Sequence, residues 1–198
     1  MARKIQSASR GQIRIIGGKW RGRKLPVFDS EGLRPTTDRI KETLFNWLMP
    51  VIQEARCLDC FAGSGALAIE ALSRYAASAT LIELERSVAT QLVANLAKLE
   101  AKNVQVINSD TLNYLAQNGT AYDVIFLDPP FRKDLLQQTA LLLEQNGWLS
   151  ENCWIYVEAE AETETETEAN LALLPKNWQL HRKKVAGQVA YCLYIRNQ

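Results

Sequence analysis

Asp128-Pro129-Pro130-Phe131 follows directly on the apolar run Val124-Ile125-Phe126-Leu127. A carboxylate and a proline carbonyl at the end of a strand can each accept one N–H of an exocyclic amine. Such an amine on a heterocycle is a weak nucleophile, because its lone pair is delocalised into the ring. Two acceptors draw the nitrogen toward tetrahedral geometry and free the pair for attack on an activated methyl group. Pro129 offers a carbonyl and no N–H, the proline pair stiffens the turn, and Phe131 can stack on the flat face of a base. Asp-Pro alone is ordinary turn chemistry. Two prolines and an aromatic behind a glycine loop are not.

That loop is Asp59-Cys60-Phe61-Ala62-Gly63-Ser64-Gly65, placed where an apolar strand gives way to an Ala/Leu-rich helix. Glycines there permit a tight turn and close approach of a ligand to the main chain. Gly63 to Ala68 also satisfies the dinucleotide pattern, with Glu83 about 20 residues on, so the glycines alone do not separate a nicotinamide dinucleotide from S-adenosylmethionine. Asp59 favours the latter: its carboxylate would accept the ammonium of a bound amino acid and repel a pyrophosphate. Glu83, at the end of the next strand, is placed for ribose hydroxyls. Asp110, after the third, can contact an adenine amine or cap the helix beginning at Thr111. Phe61, Leu84 and Asp128 complete the expected cofactor contacts with Gly63 and Gly65.

The elements that must position these residues alternate. Strands are predicted over Arg56–Phe61, Thr80–Leu84, Val104–Asn108, Tyr122–Leu127 and Trp154–Ala159. Helices are predicted between them over Ala66–Tyr75, Arg86–Ala101, Thr111–Gln117 and Asp134–Asn146. This pattern builds a parallel sheet covered on both faces. Trp178–Val185 and Val189–Arg196, flanking Ala186-Gly187-Gln188, read as a closing antiparallel hairpin. The expected fold is α/β: a Rossmann-like core closed by such a hairpin resembles the class I methyltransferase variant, with a mostly parallel seven-stranded sheet. Ahead of it, Ile13 to Val27 with Gly17-Gly18 reads as a small hairpin, and Thr37 to about Val51 as a helix. The chain therefore divides into a basic extension, residues 1–36, and a methyltransferase domain, residues 37–198. The Glu158 to Glu168 stretch, in which Glu alternates with Ala and Thr, reads as a solvated loop.

Net charge is +1, yet residues 1–24 carry eight basic side chains and no acid, and residues 151–170 carry seven Glu and no base. Arg14, Lys19, Arg21, Arg23 and Lys24 are candidates for nucleic-acid phosphates. Trp20 among them can stack on a base or pack into the core. Arg34 and Arg39 flank a helix start, where an RNA phosphate or the cofactor carboxylate would be favoured. Cys57 and Cys60 have the spacing of a redox or zinc half-site, but with His181 as the sole histidine the four cysteines read as buried small hydrophobes. No apolar run approaches a membrane span and no signal core follows the first residues, so a cytoplasmic protein is expected.

With these residues assembled, the chain resembles the RsmD family. The blocks that carry the resemblance are Ile15 to Gly22, Leu33 to Arg39, Leu58 to Gly65, Asp128 to Phe131 and Val185 to Tyr191. The resemblance implies a monomeric enzyme that methylates N2 of guanine-966 in 16S ribosomal RNA, within the small subunit, with S-adenosylmethionine as donor. The residues alone leave three rivals: a methyltransferase for adenine N6 or protein glutamine, a nicotinamide oxidoreductase, and an RNA-binding protein without activity.

Overall fold

The computed structural model describes residues 10–28, 37–130, 135–160, 168, 171–187 and 189–197. A hairpin of β1 (Arg10–Arg14) and β2 (Lys24–Phe28) comes first, joined through a 3-10 turn over Gly18–Trp20. Then follow α1 (Asp38–Trp47), β3 (Arg56–Asp59), α2 (Ala66–Ser73), β4 (Ser78–Glu83), α3 (Arg86–Lys98) and β5 (Val104–Asn108). The remainder is α4 (Thr111–Leu115), β6 (Tyr122–Leu127), α5 (Leu135–Gln145), β7 (Leu149–Glu160), β8 (Trp178–Ala186) and β9 (Val189–Arg196).

The large sheet has seven strands in the order β5-β4-β3-β6-β7-β9-β8. The first five are parallel, and β9 and β8 are antiparallel to their neighbours. From β3 the chain builds outward to β4 and β5, then returns to place β6 on the other side. The carboxyl ends of β3 and β6 therefore flank the switch point where open α/β sheets bind ligands. A mostly parallel sheet closed by an antiparallel hairpin is what the alternation of elements predicts.

One apolar face of the sheet is covered by α1, α2, α3 and the hairpin; the other by α4 and α5. Helix α1 shows how the sequence dictates this. Thr37 caps it, its hydroxyl accepting the Ile40 N–H at 3.3 Å, and Ile40, Leu44, Phe45 and Leu48 recur at helical spacing and are buried. Each such side chain contributes about 1.5–3 kcal/mol. The hairpin inserts Ile13, Ile15, Trp20 and Leu25 into the same core. Its turn is locked to the end of α2: Ser73 Oγ donates to Gly17 O at 2.6 Å and accepts the Trp20 N–H at 3.0 Å. Gly18 has φ +72, and a Cβ there would strike the Ser73 carbonyl.

One element differs from expectation, and the cysteines meet it. Strand β7 extends from Leu149 through Glu160, so Glu158 lies inside it and is buried, not in a solvated loop. The rest of the glutamate stretch apart from Glu168 lies outside the described residues. Cys57 and Cys60 are buried on opposite faces of the sheet, which separates their sulfurs and raises both thiols through burial.

Candidate active site

Parallel strands deliver their last residues to one edge, and here four acids stand at those ends or just past them. Asp59 ends β3, Glu83 ends β4, Asp110 follows β5 and Asp128 follows β6. The glycine loop is held open above them. Cys60 N donates to Phe126 O at 3.1 Å and Ala62 N to Ile82 O at 2.9 Å, tying the loop to both neighbouring strands. Gly63 and Gly65 have φ +50 and +75, in the left-handed region that favours glycine.

Glu83 organises this loop before any ligand does. Its carboxylate accepts the Gly63 N–H at 2.8 Å and the Glu85 N–H at 2.8 Å. The Asn108 side-chain amide braces the same bend, donating to Glu83 O and Leu84 O at 2.9 Å each. Leu84 projects into solvent at the lip, 62% exposed. Asp110 does cap α4, accepting the Asn113 N–H at 2.9 Å; that bond engages Oδ1 and leaves Oδ2 for a ligand. Phe61 is half-buried between the loop and the second core.

The charge balance of the crevice is one-sided. Asp59 is 2% exposed, and burial pushes its carboxyl up to about 7, although the backbone N–H groups of Phe61 and Ala68 hold it down and Glu83 and Glu158 push it further up. Asp128 is raised well above the ordinary carboxylate range, first by burial and then by Glu158 and Asp59. Among the described residues no salt bridge reaches either aspartate. An anion would be rejected here, and a cation would let both carboxyls ionise. This disfavours a pyrophosphate beside Asp59.

Glu158 is the residue that sequence reasoning missed. Leu127 pairs with Val157 across β6 and β7, so the next residues, Asp128 and Glu158, come side by side at the sheet edge. Glu158 is 6% exposed and accepts the Tyr156 hydroxyl at 2.7 Å. The signal was present: Trp154, Tyr156 and Glu158 share one face of a strand parallel to β6, and that face reaches the same edge. Pro129 is buried and Pro130 exposed, which fits a turn whose first carbonyl lines the crevice. Phe131 and Arg34 lie outside the described residues.

The basic residues are placed less centrally. Trp20 is 8% exposed, its ring in the core with the Lys19 ammonium 4.4 Å from its centre. The packing alternative describes it, and the base-stacking expectation is corrected, because the ring cannot be offered to RNA without opening the core. Lys19, Arg21, Arg23 and Lys24 are exposed, as is Arg39. Arg14 is already paired, its guanidinium 2.7 Å from Asp38. The hairpin turn carrying Lys19 adjoins Ser73 at the end of α2, whereas the glycine loop adjoins its start. Eight helical residues separate the two by about 12 Å.

A crevice of this make-up has well-matched relatives. The family model described as Conserved hypothetical protein 95 matches residues 13–195. Ribosomal RNA small subunit methyltransferase D of Escherichia coli strain K12 is 62% identical over 194 residues, covering 98% of this chain and 95% of its own. The chain belongs to the RsmD family. It is a methyltransferase by that membership, and two solved structures carry the same fold. The Escherichia coli protein yhhF superposes with a TM-score of 0.84 at 62% identity, over 94% of this chain and 99% of its own. The Haemophilus influenzae protein HI0767 gives 0.80 at 45%, over 95% and 100%. In this member of the RsmD family, four of the five blocks named from sequence map, apart from Phe131 and Gln188, to the hairpin turn, the glycine loop, the end of β6 and the β8–β9 connection; of the fifth, residues 33–36 lie outside the described residues. No helix among the described residues is long and apolar enough to cross a membrane.

Proposed function

We propose that this protein transfers a methyl group from S-adenosylmethionine to the exocyclic N2 of a guanine, guanine-966, in 16S RNA of the small ribosomal subunit. Family membership gives the coarser reading, methylation of small-subunit ribosomal RNA. Asp128-Pro129 at the end of β6, beside a crevice whose acids demand a cationic ligand, is the observation that carries methylation of an exocyclic amine. The resemblance to the RsmD family is what supports guanine-966 as its target. The crevice fits the donor: Asp59 would take its ammonium, Glu83 its ribose hydroxyls, Asp110 its adenine, and Leu84 and Phe61 its flat apolar surface. The bound donor supplies a methyl group on a sulfonium, already activated for attack.

The protein's part is to hold the amine. Asp128 and the Pro129 carbonyl each accept one N–H, which localises the nitrogen lone pair and fixes its line of approach. As the amine acquires positive charge on attack, the negative crevice stabilises it, and Asp128 stands within reach of the departing proton. Phe131 stacks on the base, which must be unpaired or flipped to enter. Lys19, Arg21, Arg23, Lys24, Arg34 and Arg39 would grip phosphates away from the target nucleotide. Arg14 would join them only by leaving Asp38. The enzyme acts as a cytoplasmic monomer on a protein-bound particle, whose shape supplies specificity that so small a protein lacks.

The test is transfer of labelled methyl to small subunits from cells lacking this enzyme, with digestion to nucleosides and Asp128→Ala alongside. N2-methylguanosine that disappears with the variant is expected. Label on adenosine, or none on particles or naked RNA, would overturn the substrate.

A further inference from the structure

The acidic crevice poses a problem for a polyanionic substrate. Asp59, Glu83 and Asp128 converge on one sheet edge, and a nucleotide inserted there brings its flanking phosphates with it. Cations near that edge must offset the repulsion. Among the described residues the hairpin turn does not do so, because α2 runs away from that edge and the turn sits at its far end.

Strand β8 can. It is the outer strand of the sheet, and every residue from Gln179 to Ala186 is exposed. His181, Arg182, Lys183 and Lys184 run consecutively along it. Among the described residues no acid pairs with any of them; Arg182 makes one bond, to the His181 carbonyl. The register places Lys183 and Lys184 level with the active site. Leu127, Val157, Cys192 and Lys183 form one row across β6, β7, β9 and β8, and Glu158, Tyr191 and Lys184 lie in the next. Three strand spacings put Lys184 about 14 Å from Asp128 in the sheet plane. Alternation sends Arg182 and Lys184 to the face shared with Tyr191, and Lys183 to the opposite one, so the strip presents charge on both sides of the rim.

We propose that His181–Lys184 on β8 is a second RNA-binding surface, which holds phosphates of nucleotides flanking the methylated base. This deepens, and rests on, the reading of RNA as substrate. Its rival is edge protection, since lysines on an outer strand also prevent sheet-to-sheet association.

The experiment compares the full-length protein with the triple variant Arg182→Gln, Lys183→Gln, Lys184→Gln, and with a charge-reversed Lys183→Glu, Lys184→Glu form. Thermal melting and S-adenosylmethionine affinity confirm an intact fold and crevice. Affinity for a small-subunit RNA fragment is then read from 50 to 300 mM salt. Each phosphate that goes unneutralised lowers the slope of log affinity against log salt by about 0.7–0.9. The triple variant is expected to lose about 2 from that slope and to raise KM for RNA at least about 10-fold, with kcat preserved. The same slope and KM as the natural protein, with new self-association, would overturn the proposal in favour of edge protection. If the natural protein binds the donor but no small-subunit RNA, the substrate reading fails and takes this surface with it.

Discussion

The hairpin seam and the crevice both bury charge, and they treat it in opposite ways. Along the seam every buried ion is answered. Glu70, 1% exposed, accepts from Arg74 at 2.8 Å and from the Ile16 N–H at 2.9 Å. Lys41, 2% exposed, lies 3.2 Å from Asp38 and donates to the Arg14 carbonyl at 2.5 Å. Burial pushes the Asp38 carboxyl up, but the bonds and charges of Arg14 and Lys41 outweigh it and leave the group below its ordinary value. In the crevice, Asp59 and Asp128 are pushed the other way by burial and by neighbouring acids. A structural ion pair is complete without a ligand; a site is not.

The comparison is broken most severely at Asp128. Its replacement by Ala should lower kcat for methyl transfer by about 10²–10³-fold or more, because one of two acceptors for the amine is gone. Melting temperature should fall little or rise, since a carboxyl disfavoured by neighbouring acids is removed. Glu70→Ala should do the reverse. It strands Arg74 and the Ile16 N–H, costing about 3 kcal/mol, a melting temperature lower by about 6–12 °C for a chain of this size. The fraction still folded should keep its kcat. Loss of turnover without loss of stability at Glu70 would erase the distinction between the two regions.

Smaller and sharper is the effect of pH on the ligand-free protein. Asp59 has a folded pKa of about 7 against an unfolded value near 3.8. Between those values the unfolded chain has released its proton and the folded one has not, so stability falls as pH rises. A melting temperature that drops from pH 5 to pH 8, and drops less in Asp59→Asn, is the expected result. Least in size is the hairpin: Lys19→Gln with Arg21→Gln should weaken RNA binding by less than about 10-fold at moderate salt, with the salt slope lower by about 1–2.

Much of this site was legible in the chain. Asp128-Pro129-Pro130 and Asp59 to Gly65 are contiguous, and a motif within one strand-to-helix turn needs only local geometry to be read. The topology followed from alternating periodicities, and Thr37 and Asp110 acted as the caps their residue types favour. What was not legible depended on contacts between distant segments. Glu158 was hidden because it opens a run of Glu, Ala and Thr that resembles a solvated loop, while its burial depends on pairing with β6 and β9. Trp20 among lysines and arginines has the same composition whether it faces RNA or the core. Only the bonds from Ser73 to Gly17 and Trp20 decide between them, and the same bonds hold the turn that carries Lys19 and Arg21 at the end of α2.

The raised carboxyl of Asp59 is tested most directly by proton release on donor binding. Titration calorimetry with S-adenosylmethionine at pH 6 in two buffers of different ionisation enthalpy counts the protons displaced. The account predicts release of a substantial fraction of a proton, greater at pH 6 than at pH 8, and reduced in Asp59→Asn along with affinity. Binding that displaces no protons, or that is as tight in Asp59→Asn as in the natural protein, would contradict it.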